Sequence, residues 1–145
     1  AFEMVNDAPM AMTAHILYPA FDANEPATTS STIISDVIRG RIGFDGLLMS
    51  DDLGMKALGG PLSERAQRAV NAGCDVVLHC SGFEKDPQVI LAEMTEVAHA
   101  APELQNKALS RAKRAESDST KQKDVDVLAL KERFDALMTE TETVS

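Results

Sequence analysis

The chain has 145 residues, enough to bury the core of one ordinary domain, and its 44% apolar and 26% charged residues are typical of a soluble globular protein. Its 14 basic residues are outnumbered by 23 acidic ones, giving a net charge of −9. This balance argues against nucleic acid or an anionic membrane surface as the main partner. No apolar run approaches the roughly 20 residues that cross a bilayer. A small neutral substrate remains compatible with the composition.

The first half of the chain predicts two strands separated by a helix. Residues 2–8 resemble the end of a helix, and the run Met10–Ile16 predicts a buried strand. Ser30 is the predicted N-cap of a helix with one apolar face, which ends near Gly40. The short run Leu47–Met49 predicts a strand that is apolar on both faces, as in a parallel sheet.

The second half continues the same alternation. It predicts a glycine-rich loop over 53–62, a helix to Gly73, a strand over 74–80, and helices from about Pro87 to Ala100, Pro102 to Arg114 and Val127 to Met138. The polar stretch 116–124 predicts a linker, and the last residues should fray. Three strand–helix units in this order favour a parallel sheet. Three strands cannot close a barrel, so the sheet is either small and open or part of something larger.

The two cysteines favour a reducing compartment. Cys74 and Cys80 lie six residues apart in a strand-like run, so their Cα atoms should be roughly 20 Å apart. A disulfide needs about 4.4–6.8 Å. We therefore predict two unpaired, buried thiols and a cytoplasmic location.

Polar residues follow the central strand directly, where α/β folds collect their chemistry. Asp51 and Asp52 are candidate catalytic carboxylates, although adjacent acids at such a junction often only cap the next helix or form an ion pair. Strand parity predicts that they point to opposite faces. His15 ends its own strand at the same edge, either as a contact to substrate or an orienting group, or as a core histidine bonded to backbone. His79 is a weaker candidate.

Several patterns point away from other chemistry. The glycines of residues 54–60 form neither GxxxxGK[ST] nor GxGxxG, and the cysteines and histidines lack zinc spacing. We therefore predict no cofactor and no metal. The basic residues Lys107, Arg111, Lys113, Arg114, Lys121 and Lys123 are interspersed with acids. They predict a solvated helix face and linker rather than a nucleic-acid patch.

Four segments carry a resemblance to a known family: MTAHILYPAFD, PATTS, IRGRIGFDGLLMSDDLGMKAL and NAGCDVVLHC. In this order they closely resemble glycoside hydrolase family 3, specifically the bacterial β-N-acetylglucosaminidases of peptidoglycan recycling. The resemblance runs from about Phe2 to about Ala115. It implies an α/β fold in which this chain is the C-terminal part, about three βα units, of a (β/α)8 TIM barrel followed by C-terminal helices. The predicted division is a partial barrel domain over 1–117 and a polar linker with a helix over 118–145.

The resemblance also implies site residues. It makes Asp51, directly after the serine of the SDDL motif, the nucleophile of a retaining mechanism, with His15 as a substrate-side contact and with Asp52, Ser50 and Met55 in support. The family's acid/base histidine and its substrate-binding lysine–histidine segment lie upstream of any segment in this chain. We therefore expect the chain alone to be inactive and poorly stable, with the missing N-terminal part of the barrel as its partner.

The expected activity is removal of non-reducing N-acetylglucosamine from N-acetylglucosaminyl-anhydromuropeptides. A β-glucosidase or xylosidase of the same family is the near alternative, although such enzymes more often carry tryptophan after the nucleophile and this chain has none. A truncated, non-catalytic interaction module is an alternative of another class. An unrelated small α/β binding domain is a third.

Overall fold

The structure, a computed structural model, describes residues 1–80, 86–119 and 126–142. Its strands are β1 (Met10–Met12), β2 (Leu47–Asp52) and β3 (Val76–Leu78); its helices are a 3₁₀-helix (Phe2–Val5), a π-helix (Ile33–Arg41), α1 (Leu62–Ala72), α2 (Pro87–Ala100), α3 (Asn106–Ser119) and α4 (Val127–Glu142). Among these described residues, none of the helices combines the length and apolar character needed to span a bilayer.

The three strands form one parallel sheet in the order β1-β2-β3, which confirms the predicted sheet. Met12 of β1 is paired with Met49 of β2, and Met49 is paired with Val76 of β3. Because the strands run in one direction, their carboxyl ends meet at one edge of the sheet. Polar residues that follow each strand are therefore brought together there.

One face of the sheet packs on the helices and forms the core. Leu48 of β2 is fully buried in a cluster that includes Leu53, Ile34 from the π-helix, and Ala66 and Ala69 from α1. The alanines lie three residues apart on one side of α1, which lets the helix approach the sheet closely. Burying one leucine side chain such as Leu48 stabilises the fold by about 1.5–3 kcal/mol.

The predicted first strand is too long, and its burial was wrongly predicted. Only Met10–Met12 pairs with β2, and Met10 and Met12 are 41% and 51% exposed. Ala11 packs against the core, so its two neighbours point to the other face. Within the described residues that face has no covering layer at β1. The prediction was wrong because an apolar run shows a preference for burial and cannot show whether a covering layer is present.

The helices differ from the predictions mainly at their ends. The second of the helices predicted after β3 begins and ends later than expected. It is α3, which begins at Asn106 rather than Pro102 and continues to Ser119, so residues 116–119 are helical. The predicted linker residues 120–124 lie outside the described residues. Ser30 does accept a hydrogen bond from the N–H of Ile33, at 3.1 Å, but the helix it begins continues as a π-helix.

The basic residues of α3 are not all on a solvated face, which corrects that prediction. Arg111 is 14% exposed and donates to Asp45 at 2.9 Å and to Asp75 at 3.1 Å. Arg39 of the π-helix donates to the other oxygen of Asp75 at 2.8 Å, and Arg114 pairs with Asp45 at 3.0 Å. Helix spacing alone does not show that carboxylates before β2 and β3 lie opposite α3. This ion-pair network, Arg39–Asp75–Arg111–Asp45–Arg114, stands at the amino ends of β2 and β3.

The cysteine prediction is correct for pairing and wrong for burial at one position. Both thiols are free, and Cys74 is buried, but Cys80 is exposed. The reason is that β3 ends at Leu78, so Cys80 lies in the loop beyond the strand rather than inside the sheet.

Candidate active site at the carboxyl end of the sheet

The residues that follow the three strands converge on the last residue of β2. The Nε2 atom of His15 lies 2.9 Å from the backbone oxygen of Asp52. The Nδ1 atom of His79, beyond β3, lies 3.6 Å from the Asp52 carboxylate. The predicted meeting of polar strand ends is therefore observed, with Asp52 rather than Asp51 at its centre.

The Asp51 carboxylate accepts fewer hydrogen bonds than the Asp52 carboxylate. Its Oδ1 atom accepts a hydrogen bond from the backbone N–H of Asp52 at 2.8 Å. Among the described residues this is the one hydrogen bond its carboxylate makes, and no cation there pairs with it. The side chain is partly exposed. A carboxylate in this state can accept further hydrogen bonds or act as a nucleophile.

Asp52 is engaged by the loops around it. Its Oδ1 atom accepts hydrogen bonds from the N–H groups of Gly54 at 2.8 Å and of Cys80 at 2.9 Å. His79 lies beside the same oxygen, and its other ring nitrogen is 3.1 Å from Glu93 of α2. These contacts tie the turn after β2 to the loop after β3.

The alternation of side chains predicted for this segment does not continue to the end of β2. Met49 pairs with Val76 while Asp52 pairs with Leu78, so β2 contains one extra residue between the two pairs. Ser50, which is fully buried, accepts the Leu78 N–H through its side chain at 3.0 Å. Such an irregularity re-aims side chains, so parity cannot by itself assign the faces of Asp51 and Asp52.

His15 has both ring nitrogens in hydrogen bonds within the protein. Besides the contact to Asp52, its Nδ1 atom lies 2.7 Å from the hydroxyl of Thr28. The Thr28 hydroxyl is in turn 2.9 Å from that of Thr13. The sequence left two roles open for His15, a contact to substrate and a core histidine. These hydrogen bonds are those of a core histidine. Thr28 lies in the segment PATTS, but no spacing in the sequence connects it to His15.

Arg65 is a second residue that the sequence reasoning missed. From α1 it donates to three backbone oxygens of the preceding loop, those of Leu53 at 2.7 Å, Met55 at 3.2 Å and Gly60 at 2.8 Å. Met55 itself is 41% exposed. A basic residue one turn into a helix that follows a glycine-rich loop is the signal that could have suggested this role.

Two open surface cavities lie elsewhere. One, of about 540 Å³, is lined by Gly73, Asp75 and Arg111, and the other, of about 330 Å³, by Asn6, Asp45 and other residues. Asp51 lines neither of them. Both stand near the amino ends of β2 and β3, opposite the candidate site.

Comparisons with known proteins identify the family. Residues 2–115 match the model of the glycosyl hydrolase family 3 N-terminal domain. The chain is 49% identical over 84 residues to a β-hexosaminidase of Alkalilimnicola ehrlichii, covering 57% of this chain and 24% of that protein. It is 44% identical over 95 residues to a β-hexosaminidase of Chromobacterium violaceum, covering 63% and 26%.

Solved structures agree with this match. The chain is similar to NagZ from Neisseria gonorrhoeae in complex with N-trifluoroacetyl-D-glucosamine, with a TM-score of 0.58 and 32% identity. The match covers 79% of this chain and 31% of that one. It is also similar to the β-N-acetylhexosaminidase of Beutenbergia cavernae, with a TM-score of 0.54, 30% identity, and 81% and 36% covered.

The chain therefore belongs to glycosyl hydrolase family 3. Its three-stranded parallel sheet is consistent with part of a barrel of the TIM type. The chain spans about a quarter of the length of the curated relatives described above.

Proposed function

We propose that this chain contributes the nucleophile, Asp51, to a retaining exo-β-N-acetylglucosaminidase. The observation that carries the proposal is the contrast at the end of β2: the Asp51 carboxylate accepts one backbone N–H, whereas Asp52 is held by two N–H groups and lies beside His79. The relatives named β-hexosaminidase support the class of enzyme in this proposal.

In this mechanism Asp51 attacks the anomeric carbon and forms a covalent glycosyl ester, while the bond to the leaving oxygen breaks and that oxygen takes a proton from an acid. Water then attacks the same carbon, giving up its proton to the conjugate base and releasing the carboxylate. Both steps invert the centre, so the configuration is retained overall.

The remaining site residues have supporting roles in this proposal. Asp52 fixes the turn after β2, and Ser50 fills the irregular position of the strand by accepting the Leu78 N–H. Met55 belongs to the loop that Arg65 holds. The sequence predicts His15 as a substrate contact, and in this arrangement both of its ring nitrogens are bonded to protein groups.

The acid/base residue is proposed to lie in an upstream segment that the relatives contain and this chain does not match. We infer that about five further βα units complete the barrel and cover the exposed side chains Met10 and Met12. Without them the chain should be inactive, because loss of a general acid costs about 10²–10⁴ in rate. The predicted boundary at 117/118 falls within α3, and the segment 118–145 stays a proposed appendage.

The proposed substrate is an N-acetylglucosaminyl-anhydromuropeptide, cleaved in the cytoplasm. The two free cysteines support a reducing compartment. No cofactor is required by this chemistry. A β-glucosidase of the same family is the alternative, and it would prefer an aryl β-glucoside to an aryl β-N-acetylglucosaminide.

Activity of the longest natural polypeptide that carries residues 1–145 tests the proposal. Asp51→Ala should lower kcat on an aryl β-N-acetylglucosaminide by about 10⁴-fold or more, as is typical when a nucleophile is removed. Asp7→Ala, a carboxylate at the other end of β1, is the control. Wild-type activity in Asp51→Ala would refute the catalytic role. A natural polypeptide that begins near Ala1 and completes its sheet with another protein would favour the interaction module.

A further inference from the structure

We propose that Thr13, Thr28 and His15 form a hydrogen-bonded chain whose function is to position the Asp51 carboxylate, an inference that rests on the proposed role of Asp51. The three side chains come from different places: Thr13 follows β1 directly, Thr28 lies in the loop before the π-helix, and His15 lies between them. The chain ends on the backbone oxygen of Asp52.

The last acceptor, the Asp52 carbonyl oxygen, determines which atom donates in each hydrogen bond of this series. The Asp52 carbonyl oxygen has no proton, so Nε2 of His15 must donate across the 2.9 Å contact. In a neutral imidazole the Nδ1 atom is then an acceptor, and the Thr28 hydroxyl donates to it at 2.7 Å. The Thr28 oxygen in turn accepts from the Thr13 hydroxyl at 2.9 Å. Each donor therefore has one acceptor.

The Thr13 end of the hydrogen-bonded chain lies in the buried interior. Thr28 is fully buried, and Thr13 is buried too, with its backbone N–H donating to the Met49 oxygen of β2 at 2.9 Å. The Cys74 thiol lies 3.7 Å from the Thr28 carbonyl oxygen. Burial raises the pKa of Cys74 to about 12, so this group remains a thiol and can donate. The hydrogen-bonded chain is thus anchored from Met49 of β2 and from Cys74, two residues before β3.

The His15 end of the hydrogen-bonded chain acts on Asp51 through the backbone of one residue, Asp52. The backbone of Asp52 is engaged on both sides: its oxygen accepts from His15, and its N–H donates to the Asp51 carboxylate at 2.8 Å. The ladder is irregular here, because β2 has its extra residue between Met49 and Asp52, although the Leu53 N–H still donates to the Leu78 oxygen at 2.9 Å. Side-chain contacts supplement the ladder here, since Ser50 accepts the Leu78 N–H at 3.0 Å, and we expect a shift of His15 to move the Asp51 carboxylate.

This role differs from a direct substrate contact. A ring nitrogen of His15 could meet a sugar hydroxyl only after giving up Thr28 or Asp52 as its partner. A positioning residue affects the chemical step, whereas a ground-state contact to substrate affects KM. Kinetics therefore separate the two roles.

The test is Thr28→Val in the longest natural polypeptide that carries residues 1–145, assayed with an aryl β-N-acetylglucosaminide. Valine keeps the shape and removes the hydroxyl. We expect kcat to fall about tenfold, the loss typical of one misdirected hydrogen bond, with KM changed less than about twofold. Thr28→Ser should recover kcat. Thr29→Val is the matched control, because the neighbouring hydroxyl donates to Glu25 at 2.7 Å and lies outside the chain, and it should leave kcat unchanged.

His15 variants give a second measurement if Thr28→Val does not fold. His15→Phe should lower kcat about tenfold to a hundredfold, and His15→Gln, whose amide can donate to the Asp52 oxygen, should recover part of it. Wild-type kcat in folded Thr28→Val, or a rise in KM alone in His15→Phe, would overturn the positioning role. Asp51→Ala, measured in parallel, separates the two claims: an active Asp51→Ala overturns the nucleophile, whereas an inactive one beside an unaffected Thr28→Val overturns the positioning chain alone.

Discussion

The two ends of the sheet hold their carboxylates in opposite ways. At the amino end Asp75 is 4% exposed, accepts the Leu48 N–H at 2.9 Å and pairs with both Arg39 and Arg111. At the carboxyl end Asp51 accepts one backbone N–H, and no cation of the described residues pairs with it. A buried carboxylate needs partners to remain charged, whereas a carboxylate that reacts must keep its oxygens available. The first arrangement is typical of a structural carboxylate, and the second suits the nucleophilic role proposed for Asp51.

The largest effect on stability should come from breaking the paired end. Asp75→Ala leaves two arginines without their buried partner, and removing one member of a buried ion pair typically costs about 3–5 kcal/mol. Asp51→Ala, the matched substitution at the other end, should change the free energy of unfolding by less than about 0.5 kcal/mol. Urea denaturation of both variants measures the contrast, and equal losses would contradict it.

A smaller effect should come from the loop that borders the carboxyl end. Arg65→Ala removes three hydrogen bonds to the backbone oxygens of the loop after β2, which should lower the free energy of unfolding by about 1–3 kcal/mol. Arg68→Ala, one turn along α1, removes a half-exposed ion pair with Glu25 and should cost less than about 1 kcal/mol. Denaturant titration of the pair checks this order. A larger loss for Arg68→Ala would show that the loop does not depend on Arg65.

The smallest expected effect is a dependence of stability on acid. The hydrogen bond from Arg111 lowers the pKa of Asp45, and the hydrogen bond from Thr29 lowers that of Glu25. A carboxyl whose pKa is lower in the folded state contributes stability above its unfolded value, about 4, and loses it as the pH falls through the folded value. Tm should therefore decrease below about pH 4. Asp45→Asn should flatten part of this decrease, and an unchanged profile would refute the contribution of Asp45.

The parts of the fold that follow from local pattern could be predicted from the sequence. The apolar run before Asp51 and the repeat of strand and helix were sufficient for a parallel sheet and for its polar edge. The length of β1 was not predictable, because it depends on pairing with β2, and the exposure of Met10 depends on which layers surround it.

The site was predictable in position and less so in its partners. The sequence predicts Asp51 and Asp52 directly after a strand over Leu47–Met49, and the structure has them as the last two residues of β2. It predicts His15 at the end of the first strand, and the structure has it three residues beyond β1. The extra residue in β2 was not visible, because it arises from the register between β2 and β3. Thr28 was missed because its partner His15 is 13 residues away in the chain and becomes a neighbour only in the folded protein. The contact of Arg65 with Leu53, 12 residues away, was hidden in the same way, although its position after a glycine-rich loop was a usable signal.

The most direct test of the central claim is to trap the glycosyl intermediate. The longest natural polypeptide that carries residues 1–145 is incubated with a fluorinated N-acetylglucosaminyl donor that has an activated leaving group, and the labelled peptide is sequenced by mass spectrometry. A retaining enzyme with Asp51 as its nucleophile should carry the sugar on Asp51, and Asp51→Ala should carry none. A label on another carboxylate, or turnover with inversion and no label, would contradict the account.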